Sequence, residues 1–499
     1  MGETTIKIAG VLSYLSILVL IGVLASLRMK DMRDYFAGGK DLGFWGVAFS
    51  ARATGESAWL LLGLTGMGAL VGVHALWVVV GEVLGVTLSW LLMARPFKRL
   101  TDEYDSITIP DYLESRFADG EVQVLRRVAA VGLTVFVTIY VSAQIHATGA
   151  AFEGFLGWNY YVGALVGFCV VLAYITTGGF VAVVWSDVFQ GSLMFAGLVI
   201  LPLVGLAVAG GWGPVAGELE TLDPALLSWS GEAEGWTLEA VFETVGLVTI
   251  GVGFLGSPQI FVRFLALRSE DEIGKGATVA IVWTLLADTG AVLTGLVGRH
   301  LLTDSGDAVE TVLGTGAEDV LPLLVEHLMP TLIVGLFIAI VLSAIMSTVD
   351  SLLVLAASAI VRDYHQQVKH PELRDEDLVP LSRKVTVALA GCALLIAFGV
   401  AGITGGQSVF WYVIFGWSGI AATFCPTMIL SLFWPRFTKR GALAAMTTGF
   451  LAVPLFTFVV PRLGAVGELL ATLSELPPSV LLSAFVGVVV SLLDEPPPA

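Results

Sequence analysis

Apolar residues fill this chain in runs long enough to cross a bilayer, one after another, with short polar stretches between them. A spanning helix needs about 20 such residues at about 1.5 Å rise each. Thirteen windows meet that requirement: 6 to 27, 44 to 70, 72 to 94, 126 to 152, 160 to 180, 185 to 209, 240 to 264, 276 to 301, 321 to 360, 382 to 402, 407 to 434, 441 to 460 and 478 to 493. Two of them are interrupted. The window from Phe44 carries Ser50-Ala-Arg-Ala-Thr-Gly-Glu-Ser57 in its middle, and the window from Ala240 carries Gly251-Val-Gly-Phe-Leu-Gly-Ser-Pro258. Glycine loosens a helix and proline removes one of its N–H donors, so both windows are expected to break at membrane depth. Lipid cannot satisfy the backbone groups that a break exposes. They are tolerated only where they line a cavity or hold a ligand, and paired breaks point to a transporter's binding site.

Composition agrees with this pattern: 56% of the 499 residues are hydrophobic and 13% are charged, with a mean hydropathy of +0.87. The expected class is an all-α polytopic membrane protein. The first window lacks a basic leader and a small-residue cleavage site, and Arg28, Lys30 and Arg33 follow it like a stop signal, so it is expected to stay as a helix. All Lys and Arg except Lys7, Arg52, Arg299 and Arg462 fall in alternate loops, at 28 to 43, 94 to 127, 262 to 275, 362 to 384 and 435 to 440. Positive charge is retained on the cytoplasmic side, which predicts the N-terminus outside and the C-terminus inside. Acidic residues crowd two outer loops, around 218 to 234 and 304 to 319, and contribute to the net charge of −17. A solubilising adaptation to high external salt explains them more simply than a cation-collecting funnel. No basic surface suited to nucleic acid is present, and Cys169, Cys392 and Cys425 lie in apolar windows without ligand spacing.

The soluble excursions are short, so 1–499 reads as one membrane transport domain. Residues 1–43 form an extra N-terminal helix and a cytoplasmic loop, 44–209 a first repeat, 240–434 a second, and 441–493 two peripheral helices. Each repeat opens with an interrupted window and holds five helices, an odd number that inverts one half relative to the other. In the loop 94 to 127, Thr108 and Pro110 predict a short capped helix.

Ionisable groups at membrane depth are functional candidates by default. They are Arg52, Glu56, Glu82, Asp187, Asp288 and Asp350, with Glu243 and Arg263 nearer the interfaces. Five of the first six are acidic, a balance suited to a cation's path. Arg52 and Glu56 also have the i,i+4 spacing of an internal salt bridge, and both readings of that pair stand. In the window 321 to 360, Ser347 and Thr348 follow the carbonyl of Ala344 by one turn. With carbonyls freed at Ala53 and Glu56, five hard oxygens could converge on a small ion such as Na⁺. Alternatively, the hydroxyls merely bond back along their own helix. Gly251 to Gly256 fits G-x-G-x-x-G, but no strand precedes it, which excludes a dinucleotide fold. No nucleophile elbow, phosphate loop or metal spacing appears, so no enzymatic activity is expected.

Four segments resemble the sodium/solute symporters, and among them the sodium/proline symporters. They are Asp34-Tyr-Phe-Ala-Gly-Gly-Lys-Asp-Leu-Gly43, Ser57-Ala-Trp-Leu-Leu-Leu-Gly63, Gly178-Gly-Phe-Val-Ala-Val-Val-Trp-Ser-Asp187 followed by Gln190, and Ala344-Ile-Met-Ser-Thr-Val-Asp350. The resemblance implies a LeuT-like inverted five-helix repeat and a Na⁺ site from the carbonyls at Ala53, Glu56 and Ala344 and the hydroxyls of Ser347 and Thr348. It assigns Asp187 and Asp350 to the ion pathway and coupling. It also implies a solute site at Thr54, Gly55, Ser57, Trp59, Tyr140, Gln144, Ile250, Phe254 and Pro258. The chain departs from that family at three places. Ile250 and Phe254 stand where sodium/proline symporters resemble one another in having Trp and Tyr, and Gly55 replaces an aspartate important for Na⁺ coupling while Glu56 replaces an apolar neighbour. Glu56 is then a candidate for the missing charge, stabilising Na⁺ directly or adding protonation to the cycle.

The expectation is a Na⁺-coupled symporter of the plasma membrane importing proline or a related amino acid. Another small solute, such as a sugar or carboxylate carried with Na⁺ or H⁺, is the alternative, and a solute sensor belongs to a different class. The implied partners are the solute, sodium and the lipid bilayer, with no nucleic acid and no obligatory protein partner.

Overall fold

The computed structural model describes residues 2–26, 38–117, 123–175, 179–232, 235–404 and 408–496. Arg28, Lys30, Arg33, the first residues of the motif that begins at Asp34, and Gly178 therefore lie outside the described residues. The regular structure within them is helical: α1 (Glu3–Ser26), α2 (Phe44–Ala58), α3 (Thr65–Val71), α4 (Leu76–Leu88), α5 (Ala94–Glu103), α6 (Ile109–Phe117), α7 (Val124–Leu156), α8 (Tyr160–Ile175), α9 (Gly179–Val208), α10 (Trp212–Leu222), α11 (Leu238–Thr249), α12 (Pro258–Ala266), α13 (Ile273–Leu302), α14 (Val309–Leu313), α15 (Val320–Leu328), α16 (Thr331–Ser358), α17 (Asp375–Thr404), α18 (Val409–Phe433), α19 (Lys439–Pro454), α20 (Ala465–Thr472) and α21 (Leu476–Leu493). Eleven helical stretches are long and apolar enough to cross a membrane, and Tyr160–Leu172 is a shorter apolar helix. One of the eleven, Phe44–Glu103, runs for 60 residues. It turns back at Gly72, whose φ of 65° and ψ of −138° suit a residue without Cβ.

Both predicted breaks are present. In the first, α2 is interrupted at Ser57 (φ 27°, ψ −163°) and continues into α3 through a wide turn over Trp59–Leu64. In the second, α11 tightens into a 3₁₀ turn over Ile250–Leu255, the chain extends at Ser257, and Pro258 opens α12 as its first residue. Helix α4 lies directly on this second break. Cβ atoms at Gly81 and Gly85 would lie 2.2 and 2.0 Å from the carbonyl oxygens of Val248 and Gly251. Only glycine permits that approach, and small residues are what let helix backbones meet in a membrane.

The window 321 to 360 is not one helix. Helix α15 ends at Leu328, Met329 is extended (φ −113°, ψ 145°), and α16 starts after Pro330. Proline disfavours the helical conformation in the residue before it, so the chain turns there. The predicted short helix in the 94 to 127 loop is α6, and the Asp111 amide donates to Thr108 Oγ1 at 3.1 Å.

Candidate functional site

Helix α16 presents Ser347 and Thr348 to the last turns of α2 just before its break. Ser347 Oγ donates to the Ala53 carbonyl at 3.0 Å, and Thr348 Oγ1 donates to the Thr54 carbonyl at 3.0 Å. Both hydroxyls also lie 3.2 Å from the Ala344 carbonyl. Each hydroxyl thus bonds back along its own helix, as the alternative reading expects, and also across to α2. Four of the five groups expected at the ion site come together. The fifth does not: the Glu56 carbonyl accepts the Trp59 amide across the break, and the carbonyl that faces Thr348 is that of Thr54. The reason is local, since helical geometry persists through Glu56 and only Ser57 departs from it.

Beside these contacts, among α2, α9, α12 and α16, lies a buried polar knot. Asp187 Oδ2 accepts from Ser50 Oγ at 2.6 Å and from Arg263 Nη2 at 3.3 Å. Arg263 also donates to Ser50, Thr54, Ser351 and the Gln259 carbonyl at 3.1, 2.8, 2.5 and 2.7 Å. Asp350 accepts from Ser351 at 3.2 Å. Arg263 itself is 1% exposed. The Thr54 hydroxyl belongs to this knot and not to the group around Ser57, because its side chain projects from α2 toward α9 and α16.

The groups at the first break form a second cluster. Ser57 Oγ accepts from Gln144 Nε2 at 3.2 Å and from the Tyr140 hydroxyl at 3.4 Å. The Gln144 carbonyl oxygen accepts the Ala58 amide at 3.2 Å, so Gln144 satisfies a backbone donor released by the break. Trp59 donates its indole N–H to the Gly55 carbonyl at 3.1 Å. The Phe254 ring covers Gly55, where a Cβ would lie 2.8 Å away. Ile250 is held by its carbonyl, which accepts from Trp417 Nε1 at 2.9 Å, and the Trp417 and Phe254 ring centroids are 5.0 Å apart. Pro258 contributes as the start of α12 rather than through one of these side-chain bonds.

Trp417 is the residue that sequence reasoning missed. The available signal was its place in Gly416-Trp-Ser-Gly419, where the flanking glycines bring α18 against Tyr140 and Phe136.

Arg52, on the same helix, pairs with Glu56 and lies 3.7 Å from Glu82. The structural reading of that pair is therefore met. Its guanidinium carbon lies 4.6 Å from the Phe254 ring centroid and 5.8 Å from that of Trp283. These contacts bind the two broken helices together through a cation over an aromatic face.

Ion and dipole contacts tie the surrounding helices together at two further places. At one, Arg126 Nη1 bridges Asp111 and Asp363 at 2.6 and 2.9 Å and ties α6 and α7 to the extension of α16. At the other, Glu318 accepts from Ser408 Oγ and the amides of Val409 and Phe410 at 2.7, 2.8 and 2.9 Å. That carboxylate caps the N-terminus of α18, and Phe410 in turn meets Trp59 edge-on at 6.0 Å. Burial pushes the Glu318 carboxyl up to about 7, against the pull of its three donors.

Residues 35–449 match the model of the sodium:solute symporter family. The high-affinity proline transporter PutP of Bacillus subtilis is 34% identical, over 87% of this chain and 89% of its own. The osmoregulated proline transporter OpuE of the same organism is 31% identical, over 97% and 94%. The sodium/proline symporter of Escherichia coli is also 31% identical, over 97% and 93%. Among solved structures, a Na⁺-coupled sialic acid symporter in a substrate-bound, outward-open state superposes with a TM-score of 0.77 at 19% identity, covering 98% of each chain. A nucleobase-cation-symport-1 family transporter gives 0.52 at 14% identity, covering 92% of this chain and 95% of its own.

Proposed function

The chain belongs to the sodium:solute symporter family, and we propose that it imports proline or a closely related amino acid together with Na⁺ by alternating access. The observation that carries this reading is the meeting of α16 with the broken α2. The carbonyls of Ala53, Thr54 and Ala344 and the hydroxyls of Ser347 and Thr348 lie at 3.0 to 3.2 Å along the contacts between them. An ion with ligand distances of about 2.4 Å needs such oxygens spread only a few tenths of an ångström wider. The two hydroxyls then turn their protons away and offer lone pairs. The Glu56 carbonyl joins when the break at Ser57 loosens and frees it from the Trp59 amide.

Proline fits the adjoining cluster by chemistry. Its carboxylate and amine match the amide of Gln144, the hydroxyls of Ser57 and Tyr140 and the positive end of α12 at Pro258. Its ring matches Ile250, Phe254 and Trp59. Because α2 contributes to both the ion and the solute clusters, an arrangement of α2 that favours one ligand favours the other. Each then raises the other's affinity by the same factor. Asp187 and Asp350, beside the ion cluster, provide the ion's route. The LeuT-like architecture follows the same reading, with 44–209 and 240–434 as inverted repeats, 1–43 and 441–493 as additions, and the whole a single multi-pass domain of the plasma membrane. Thirteen crossings place the N-terminus outside and the C-terminus inside, as the Lys and Arg distribution requires.

Proteoliposomes with an inward Na⁺ gradient test the function. Radiolabelled proline should accumulate, and accumulation should collapse when K⁺ replaces Na⁺. A panel of unlabelled amino acids, sugars and carboxylates, each in excess, should leave proline or a near relative as the strongest competitor. Uptake indifferent to Na⁺, or out-competed by a sugar, would refute this reading.

A further inference from the structure

The family reading uses one face of α2, and the opposite face carries charges that it leaves unexplained. Arg52 and Glu56 on α2, Glu82 on α4 and Asp288 on α13 are each 1% exposed or less. One oxygen from each of the three carboxylates lies within 4.8 Å of the others. Arg52 pairs with Glu56 and sits 3.7 Å from Glu82. None of the six carboxylate oxygens accepts a hydrogen bond, and Asp288, fully buried on a separate helix and directed at the other two, also lies beyond the ion pairs that Arg52 makes with them.

A single guanidinium therefore faces three carboxylates at membrane depth. An uncompensated buried charge is a severe penalty in so apolar a setting, and ionisable groups there persist where they pair with one another or bind an ion. Arg52 supplies one positive charge, engaged with Glu56 and Glu82 and set against the Phe254 and Trp283 rings, and one charge cannot balance three. The glycine contacts that seat α4 on the second break hold Glu82, between Gly81 and Gly85, at the cluster.

We infer that Glu56, Glu82 and Asp288 form a second Na⁺ site, separate from the hydroxyl site on α16. Carboxylate oxygens are hard ligands, and three of them within a shared 4.8 Å envelope can reach one small cation of about 2.4 Å ligand distance. The site joins α2 to α4 and α13, so its occupant would tie the first broken helix to the helices packed around the second. This inference rests on the symport reading only in taking Na⁺ as the available cation.

Equilibrium binding of ²²Na⁺ to the purified full-length protein tests it. At saturation D288N should bind about half the wild-type amount per protein, and E82Q the same. D288E should keep the wild-type amount, and adding S347A and T348A to D288N should abolish the remainder. Thermal unfolding in Na⁺-free buffer verifies that each variant is folded, and added Na⁺ should raise the midpoint of D288N less than that of the wild type. A wild-type amount in either D288N or E82Q overturns the inference. If S347A/T348A keeps the wild-type amount while D288N is halved, the hydroxyl site fails and the carboxylate site stands.

Discussion

Each broken helix carries one buried arginine directed at the other, and the two are balanced in different ways. Arg263, on α12, meets one carboxylate, Asp187, and fills its remaining donors with hydroxyls on α2 and α16 and a carbonyl of its own helix. Arg52, on α2, meets Glu56 and Glu82 with Asp288 beside them. In the first set the guanidinium meets five oxygens, and Asp350 joins through Ser351, which suits a latch. The second sets three carboxylates against one guanidinium with no hydrogen bond to any of their oxygens, which suits a place where a cation comes and goes. Hydrogen-bond coverage of buried charges thus separates a structural pair from a ligand site where burial alone does not.

The largest expected effect comes from breaking the bonded set around Arg263. Arg263→Ala leaves Asp187 buried without its cation and should lower stability by about 3–5 kcal/mol, measured by thermal unfolding in detergent. Adding Asp187→Asn to it should recover most of that loss.

Glu318 supplies a carboxylate outside the spanning helices that is balanced by neutral donors alone. Its carboxyl is raised from 4.5 to about 7. Between those values the folded state holds a proton that the unfolded state has released, so stability should fall as pH rises through that window and level off above it. The total change is bounded at about 3 kcal/mol, and Glu318→Gln should flatten it. Unfolding midpoints across the window decide the matter, and a slope kept by the Gln variant would contradict the assignment.

The set around Arg52, whose carboxylates lack hydrogen bonds, should respond with the opposite sign. Without Na⁺, Asp288→Asn removes an uncompensated charge and should raise stability by about 1–2 kcal/mol, where Arg263→Ala lowered it. A loss in Na⁺-free buffer would mean that the two arginines play equivalent parts. The smallest effect is expected at Trp417→Phe, which keeps the ring against Phe254 but forfeits the bond to the Ile250 carbonyl. About 1 kcal/mol is at stake, visible as weaker solute binding with little change in Na⁺ affinity.

The residues differ in how openly they announced their place. The second break was legible because Gly251, Gly253, Gly256 and Pro258 leave a helix little choice, and the first because a polar run interrupts an apolar window. Ser347 and Thr348 were legible by their spacing from Ala344. Pro330 was equally visible, yet apolar length outweighed it, and so 321 to 360 read as one helix. Which way Thr54 turns and which groups Arg263 reaches depend on the rotation and tilt of α2 and α12. Packing sets both, and periodicity along one segment does not contain them. Convergence of Glu56, Glu82 and Asp288 from three helices is likewise a tertiary fact, since the sequence shows three separate intramembrane acids.

The most direct measurement is proline-dependent ²²Na⁺ uptake into proteoliposomes by the wild type and by the Ser347→Ala/Thr348→Ala double variant, both shown folded by their unfolding midpoints. The account predicts that proline stimulates Na⁺ entry in the wild type and that this stimulation vanishes in the double variant. Wild-type stimulation persisting without either hydroxyl would contradict it.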